Sequence, residues 1–133
     1  MKHVTLLDTF ALVKFFRAEE GSGRIKALLG AARRSGATLA MCELNAGELY
    51  YIVARKTGPE RAEEVLASLT TIPVELLPVT WDLVLAAARL KAQWSMSYAD
   101  CFAVASAVQH RATLVTGDPE FKQVEHLVSI EWI

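Results

Sequence analysis

Cysteine, histidine and long hydrophobic runs are scarce in this chain. Cys42 and Cys101 are its only cysteines, and both lie in apolar stretches without a ligand motif, so we expect buried free thiols in a reducing compartment. The histidines His3, His110 and His126 show no metal-ligand spacing, which argues against a zinc site. No apolar stretch reaches the ~18 residues of a membrane span, and the start lacks the hydrophobic segment of a signal peptide. These absences predict a cytoplasmic protein without a membrane partner.

The net charge is also small, at −1, so the chain lacks the basic balance that is typical of nucleic-acid-binding proteins. Only 22% of the residues are charged and 53% are hydrophobic, which excludes a disordered chain. A length of 133 residues fits a single domain, which we predict over residues 1–133. A domain of this size buries roughly two-thirds of its unfolded surface, so a substantial core is expected.

Strand-like and helix-like segments alternate along the chain. Helices of ten or more residues between strands form βαβ units, so we predict an α/β fold with a central parallel sheet of four to five strands. Strands are expected at residues 3–8, 38–44, 74–79, 113–117 and 128–132, the third at an edge because prolines flank it. Helices are expected at residues 9–17, 23–35, 45–57, 60–69, 80–94, 97–111 and 119–125, with Ser22, Thr80 and Ser97 as caps.

Four acidic residues stand where an acid is least expected. Asp8 and Asp118 close two strand-like segments, and Glu48 and Asp100 lie near helix starts on apolar stripes. An ionised carboxylate beside a core is costly unless it is paired or binds a metal. Sites in open parallel sheets form beyond the carboxyl ends of the strands, and these helix starts should face the same edge. The four acids therefore predict one acidic pocket that holds a divalent cation.

Each acid also has a local explanation. Asp8 and Asp118 could serve only as helix N-caps, Asp100 stands three residues after Ser97 as in a capping box, and Glu48 could be a boundary residue with its head in water. Against this, both helical acids share a stripe with apolar residues that we expect to point inward. These residues are Leu44, Tyr51 and Ile52 on the helix of Glu48, and Val104, Ala107 and Val108 on the helix of Asp100.

Other polar residues compete for a place in the pocket. Glu43 ends the second predicted strand and could support the site. Asp82 and Glu120 look like first-turn acids that complement a helix dipole. The hydroxyls of Thr9 and Thr116 could hydrogen-bond the acids or a bound water, although β-branched packing explains these residues equally well.

Such a pocket suits metal-assisted hydrolysis of a phosphodiester. Clustered carboxylates repel one another, and one or two cations relieve that repulsion. All-oxygen ligands select Mg²⁺ or Mn²⁺ over zinc, and the cation lowers the pKa of a bound water and holds a phosphate oxygen. Apart from the four acids, the chain carries a formal +3. A basic rim and ordinary solvated helix faces are alternative explanations for Arg33, Arg34, Arg55, Lys56 and Arg61.

Four segments together resemble the motifs of PIN domains, most nearly those of the VapC-like ribonuclease toxins of type II toxin–antitoxin systems. They are residues 7–9 (LDT), 45–51 (NAGELYY), 97–107 (SYADCFAVASA) and 116–121 (TGDPEF), in an order and spacing that cover nearly the whole chain. The resemblance implies a three-layer α/β/α fold and metal-dependent cleavage of RNA, with tRNA and rRNA as candidate targets. It also implies a homodimer and inhibition by a small VapB-like antitoxin.

Carried over by position, the resemblance makes Asp8, Glu48, Asp100 and Asp118 the catalytic and metal-binding quartet, with Thr116 as a supporting hydroxyl. The chain departs from the family pattern at Phe10, where a small polar residue is common, and this changes the mouth of the pocket.

A second hypothesis is a catalytically inactive PIN-like module that binds RNA or protein. The intact quartet argues against it, because an inactive module need not keep four costly acids. A phosphate-switch receiver or an aspartyl-phosphate phosphatase is disfavoured because the first strand lacks their paired acids.

Overall fold

The computed structural model describes residues 3–133, so the first two residues of the predicted domain lie outside the described part. Its strands are β1 (Val4–Leu7), β2 (Thr38–Cys42), β3 (Val74–Leu77), β4 (Thr113–Thr116) and β5 (Ile130–Trp132). Its helices are α1 (Thr9–Phe16), α2 (Ser22–Ser35), α3 (Glu43–Thr57), α4 (Pro59–Leu69), α5 (Trp81–Gln93) and α6 (Tyr98–Gln109). The predicted helix at 119–125 is a 3₁₀ helix, Pro119–Val124.

The five strands pair in parallel in the order β3-β2-β1-β4-β5, which confirms the predicted α/β fold with a parallel sheet. Leu6 of β1 lies opposite Ala40 of β2 and Leu114 of β4. β3 is an edge strand, as its flanking prolines predicted. The chain first builds outward from β1 to β3 and then crosses back to β4 on the other side of β1. Open α/β sheets bind ligands at such a reversal, beyond the carboxyl ends of the strands.

Successive strand residues face opposite sides of the sheet, so both faces need a covering of helices. Leu6 and Leu114 pack with the residues of α5 and α6, whereas Leu7 and Val115 pack with those of α1 to α4. The sheet and its two helical coverings form the three layers that the resemblance implied. Both sides of the central strands are buried, which explains why these segments read as continuous apolar runs.

Two helix starts differ from the sequence prediction. Ser22 lies inside α2, and the N-cap is Gly21, whose φ of +95° is the left-handed conformation that favours glycine. Helix α3 begins at Glu43 directly after β2, so the predicted strand over 38–44 is two residues too long. No loop separates strand from helix here, and Glu43 complements the dipole of the first turn.

The predicted strands at 74–79 and 128–132 are each two residues too long, whereas the predicted caps of two further helices and the predicted state of the cysteines agree with the structure. The hydroxyl of Thr80 caps α5 and that of Ser97 caps α6, each accepting a backbone N–H three residues later. Cys42 and Cys101 are buried free thiols. Across residues 3–133, no helix has both the length and the apolar character needed to cross a membrane.

Candidate functional site

Three of the four predicted acids occupy helix starts at the carboxyl edge of the sheet. Asp8 directly follows β1 and caps α1, where its Oδ1 accepts a hydrogen bond from the Ala11 N–H at 2.8 Å. Asp118 follows β4 and caps the 3₁₀ helix by accepting from the Glu120 N–H at 3.0 Å. Asp100 lies in the first turn of α6. The capping explanations are therefore correct locally, but the caps also bring the carboxylates toward one place.

Asp8 is the most buried of these acids, with 2% of its surface exposed. Its Oδ2 accepts a hydrogen bond from the Thr116 hydroxyl at 2.5 Å, and that hydroxyl in turn accepts from the Asp118 N–H at 3.1 Å. Burial raises the pKa of Asp8 from 3.8 to about 7; the bonds from Thr116 and Ala11 oppose this, and the charges of Asp100 and Asp118 add to it. Of the two explanations left open for Thr116, the structure shows the hydrogen bond from its hydroxyl to an acid.

Asp100, Asp118 and Glu120 bring three carboxylates close together. One oxygen from each lies within 4.8 Å of the others. The pKa of Asp100 is raised to about 7, chiefly by burial. The negative charges of Asp118, Glu48 and Glu120 contribute to this rise, and the hydrogen bond with Ser97 opposes it. The neighbouring negative charges thus disfavour the ionised form of Asp100.

Glu48 lines the same cleft but lies outside the three-oxygen group. It is partly buried, and its Oε2 accepts a hydrogen bond from the Tyr51 hydroxyl at 3.4 Å. Its charge contributes to the raised pKa of Asp100 and is the largest cause of the raised pKa of Tyr51. The predicted inward stripes are only partly correct, because 46% of Tyr51 and 50% of Val108 are exposed.

The structure also corrects the roles of three neighbouring residues. Glu120, which the sequence suggested as a simple first-turn acid, joins the carboxylate group because the Asp-Pro-Glu turn after β4 brings it back beside Asp118. Glu43 is exposed and lines a separate cleft with Tyr50, so it does not support the acids. The Thr9 hydroxyl donates to the Asn45 carbonyl at 3.2 Å and not to a carboxylate.

Asn45 connects the helices that carry the acids. It is 1% exposed on α3, and its side-chain N–H donates at 3.0 Å to the carbonyl of Ala99, the residue before Asp100. Its own backbone carbonyl accepts from Thr9, the residue after Asp8. These two bonds tie α3 to α6 and to α1, so they fix the acid-bearing segments relative to one another. The sequence analysis included Asn45 in the 45–51 motif but assigned it no role.

Glu48, Asp100, Asp118 and Glu120 line a cleft of about 460 Å³ that also has cations in its lining. Lys56 lines this cleft, and Arg61 lines an adjoining cleft, so part of the predicted basic rim is present. Arg33 and Arg34 line a different cleft beside α2 and do not belong to it. Two further lining cations, Lys14 and Arg17, were not predicted.

The donor set fits a divalent cation of the Mg²⁺ or Mn²⁺ type. Its atoms are carboxylate oxygens, which are the ligands these cations prefer. Three of them already converge, and the raised pKa values of Asp8 and Asp100 record the cost of keeping these groups charged without a counter-charge. A cation at this place would favour the ionised carboxylates.

Several solved structures share the fold at low sequence identity. A chain of VapBC2 from Rickettsia felis, bound to a DNA fragment from its promoter, matches with a TM-score of 0.77 and 20% identity over 98% of both chains. DNA-bound VapBC from Salmonella typhimurium matches at 0.75 and 17% identity, again over 98% of both. The sarcin–ricin loop cleaving toxin VapC20 from Mycobacterium tuberculosis matches at 0.75 and 17% identity, over 91% of this chain and 94% of that one.

A comparison with curated protein sequences gave no significant match. The model of one protein family does match, and it covers residues 5–127, which include all four predicted acids and the Thr116 hydroxyl. The family is described as the PIN domain. Because the match extends over nearly the whole chain and agrees with the three-layer fold, this protein belongs to the PIN domain family.

Proposed function

We propose that this protein is a metal-dependent endoribonuclease that hydrolyses RNA phosphodiester bonds as the toxin of a VapBC-type pair. The observation that carries the proposal is the convergence of the Asp100, Asp118 and Glu120 carboxylates within 4.8 Å, beside Glu48 and the buried Asp8. Membership of the PIN domain family supports it. So does the fold shared with VapC20, which is described as cleaving the sarcin–ricin loop.

In this proposal Asp8, Glu48, Asp100 and Asp118 hold Mg²⁺ or Mn²⁺, and Glu120 adds a fifth carboxylate. When bound, the cation would supply positive charge to a phosphate oxygen and lower the pKa of the attacking water. The Thr116 hydroxyl holds the Asp8 carboxylate in one orientation and is itself fixed by a backbone N–H. Pre-oriented ligands of this kind need little rearrangement when the substrate arrives.

Cleavage of a mixed pool of tRNA and rRNA by the purified protein tests the proposal. We expect discrete products with Mg²⁺ or Mn²⁺, none with EDTA, and none with Asp100→Asn, which removes a converging carboxylate but keeps the side-chain volume. Asp82→Asn, an exposed acid in the first turn of α5, is the matched control and should cleave like the wild type. Wild-type turnover by Asp100→Asn in the presence of metal would refute the site.

A folded, antitoxin-free sample that binds RNA but cleaves none of the pool would instead support a catalytically inactive module. The toxin assignment further implies a small VapB-like partner and a homodimer. The similar solved chains from Rickettsia felis and Salmonella typhimurium come from VapBC complexes, which supports the first expectation. Co-expression with the product of an adjacent small reading frame tests the partner, and we expect the two proteins to co-elute and cleavage to be lost. Size-exclusion chromatography with light scattering tests the homodimer, and we expect the mass of two copies of this chain.

A further inference from the structure

The acidic cleft adjoins a second cleft along α1 and α3. The first, of about 460 Å³, contains the carboxylates; the second, of about 260 Å³, extends toward α4. Arg17, Ile52 and Lys56 line both, so the two clefts are neighbours on the surface formed by α1 and α3. We call the two adjoining clefts together the α1–α3 groove. Its acidic end is formed by the converging carboxylates and its basic end by Arg17, Lys56 and Arg61.

The cations of the basic end are available to a ligand. Arg17 pairs with Glu19 at 3.9 Å and Arg61 with Glu64 at 3.1 Å, but the side chains in both pairs are 40% to 66% exposed. Exposed pairs of this kind are worth little, so phosphates can replace the carboxylates. Arg61 also donates from its other terminal nitrogen to the Phe16 carbonyl at 3.3 Å, which holds the guanidinium beside the groove. In the part of the chain that the structure describes, the Lys56 ammonium makes neither an ion pair nor a hydrogen bond.

An exposed aromatic ring stands at the acidic end. Phe10 lines the cleft beside the carboxylates, and 38% of its surface is exposed. The ring packs close to Gly117, where an added Cβ would lie 2.7 Å from its Cε1 atom, and the Lys14 ammonium lies 5.1 Å from the ring centroid. A flat apolar side chain beside a row of cations is the combination with which proteins bind single-stranded nucleic acid, through base stacking and backbone charge.

We propose that single-stranded RNA lies along the α1–α3 groove, with a base against Phe10 and the phosphates that flank the scissile bond on Arg17, Lys56 and Arg61. This inference rests on the proposed function, which places the scissile phosphate at the acidic end. An RNA chain continues beyond the bond that is cut, and the groove offers the continuing backbone a basic surface. Base stacking would give the phenylalanine a role at a position where the family commonly has a small polar residue.

An acidic peptide is the other polyanion that the basic end could attract. It fits less well, because it has no base to stack on Phe10, which lines the groove beside the carboxylates. The combination of aromatic ring, cations and metal-binding acids therefore favours RNA.

The test is the binding of a short fluorescein-labelled single-stranded RNA, followed by anisotropy in Mg²⁺ over a range of salt concentrations. All proteins carry Asp100→Asn so that the probe is not cut, and circular dichroism confirms that each is folded. Arg17→Gln with Lys56→Gln should weaken binding and lower the slope of log Kd against log salt by ~1.4, about 0.7 for each lost phosphate contact. Arg33→Gln with Arg34→Gln removes the same charge from the separate α2 cleft. This control should change neither the affinity for RNA nor the slope of log Kd against log salt.

Phe10→Leu keeps an apolar side chain but removes the flat ring, and should weaken binding at least about fivefold. Trp81→Leu removes an exposed aromatic residue that lies outside the groove, and should have no effect. In the otherwise wild-type enzyme, the groove variants should raise KM and leave kcat nearly unchanged.

An equal loss of RNA affinity in the groove variants and in the α2 variants would overturn the proposal, because binding would then depend on net charge alone. Groove-dependent binding of a poly-glutamate peptide, without such binding of RNA, would also overturn it and identify a site for an acidic protein segment. If RNA binds in a groove-dependent manner but the wild type cleaves nothing, the groove assignment stands and the nuclease proposal fails. If the wild type cleaves RNA and the groove variants bind and cleave it equally well, the nuclease proposal stands and the groove assignment fails.

Discussion

The buried carboxyl group of Asp8 predicts an unusual dependence of stability on pH. Its pKa is raised from 3.8 to about 7, chiefly because burial penalises the charged form. Between these values the folded protein binds a proton that the unfolded chain has released. The stability contributed by this proton is complete below pH 3.8 and is lost as the pH rises through about 7.

The magnitude follows from the shift. Each pH unit between about 5 and 7 changes the free energy of unfolding by about 1.4 kcal/mol, so the metal-free protein should lose about 3 kcal/mol between about pH 5 and pH 8 from Asp8 alone. The raised pKa of Asp100 acts in the same direction. Glu131, whose pKa is lowered by its hydrogen bond with Arg24, changes stability only at more acidic pH.

Urea unfolding in EDTA, followed by tryptophan fluorescence, measures this dependence. Asp8→Asn cannot titrate, and it can still receive the Ala11 N–H bond while the Thr116 hydroxyl turns to accept from the amide. We expect the variant to have a flatter pH dependence and to be more stable than the wild type at about pH 8. The exposed Asp82→Asn is the matched control and should keep the wild-type dependence. An Asp8→Asn variant that loses stability as steeply as the wild type would refute the reasoning.

Three further outcomes follow from the same site. Mg²⁺ or Mn²⁺ should raise the melting temperature more at about pH 8 than at about pH 5.5, because protons compete for the carboxylates; equal shifts in calorimetry would exclude binding at this cluster. Asn45→Ala removes the bond to Ala99 and should lower the free energy of unfolding by about 1–3 kcal/mol in urea titrations. Asn45→Asp should also be destabilised, because a carboxylate cannot donate a hydrogen bond to the Ala99 carbonyl. Gly117→Ala would place a Cβ 2.7 Å from the Phe10 ring, so a crystal structure of the variant should show a displaced ring. Urea titrations should show a loss of about 1–3 kcal/mol in the free energy of unfolding. A ring that has not moved would contradict the described packing of Phe10 on Gly117.

Local chemistry explains why most elements could be predicted and where prediction failed. Apolar runs located the strands, and Thr80 and Ser97 located the starts of two helices. These signals act within a few residues, so they can be recognised in the sequence. The start of α2 was misplaced because the left-handed backbone of Gly21 begins that helix without a side-chain cap. The start of α3 was misplaced because β2 passes into the helix without a loop, and a composition pattern cannot mark a boundary that has no breaker residue.

The unusual acids are recognisable in the amino-acid sequence alone, because an acid that closes an apolar strand or starts an apolar helical stripe stands out within its own segment. Which charged groups meet depends instead on tertiary packing. Glu120 joins the carboxylates and Glu43 does not, while Lys56 faces the groove and Arg33 does not. These outcomes depend on how far each helix is rotated about its axis when it packs on the sheet. That rotation is fixed by contacts between segments distant in sequence, which no local pattern records.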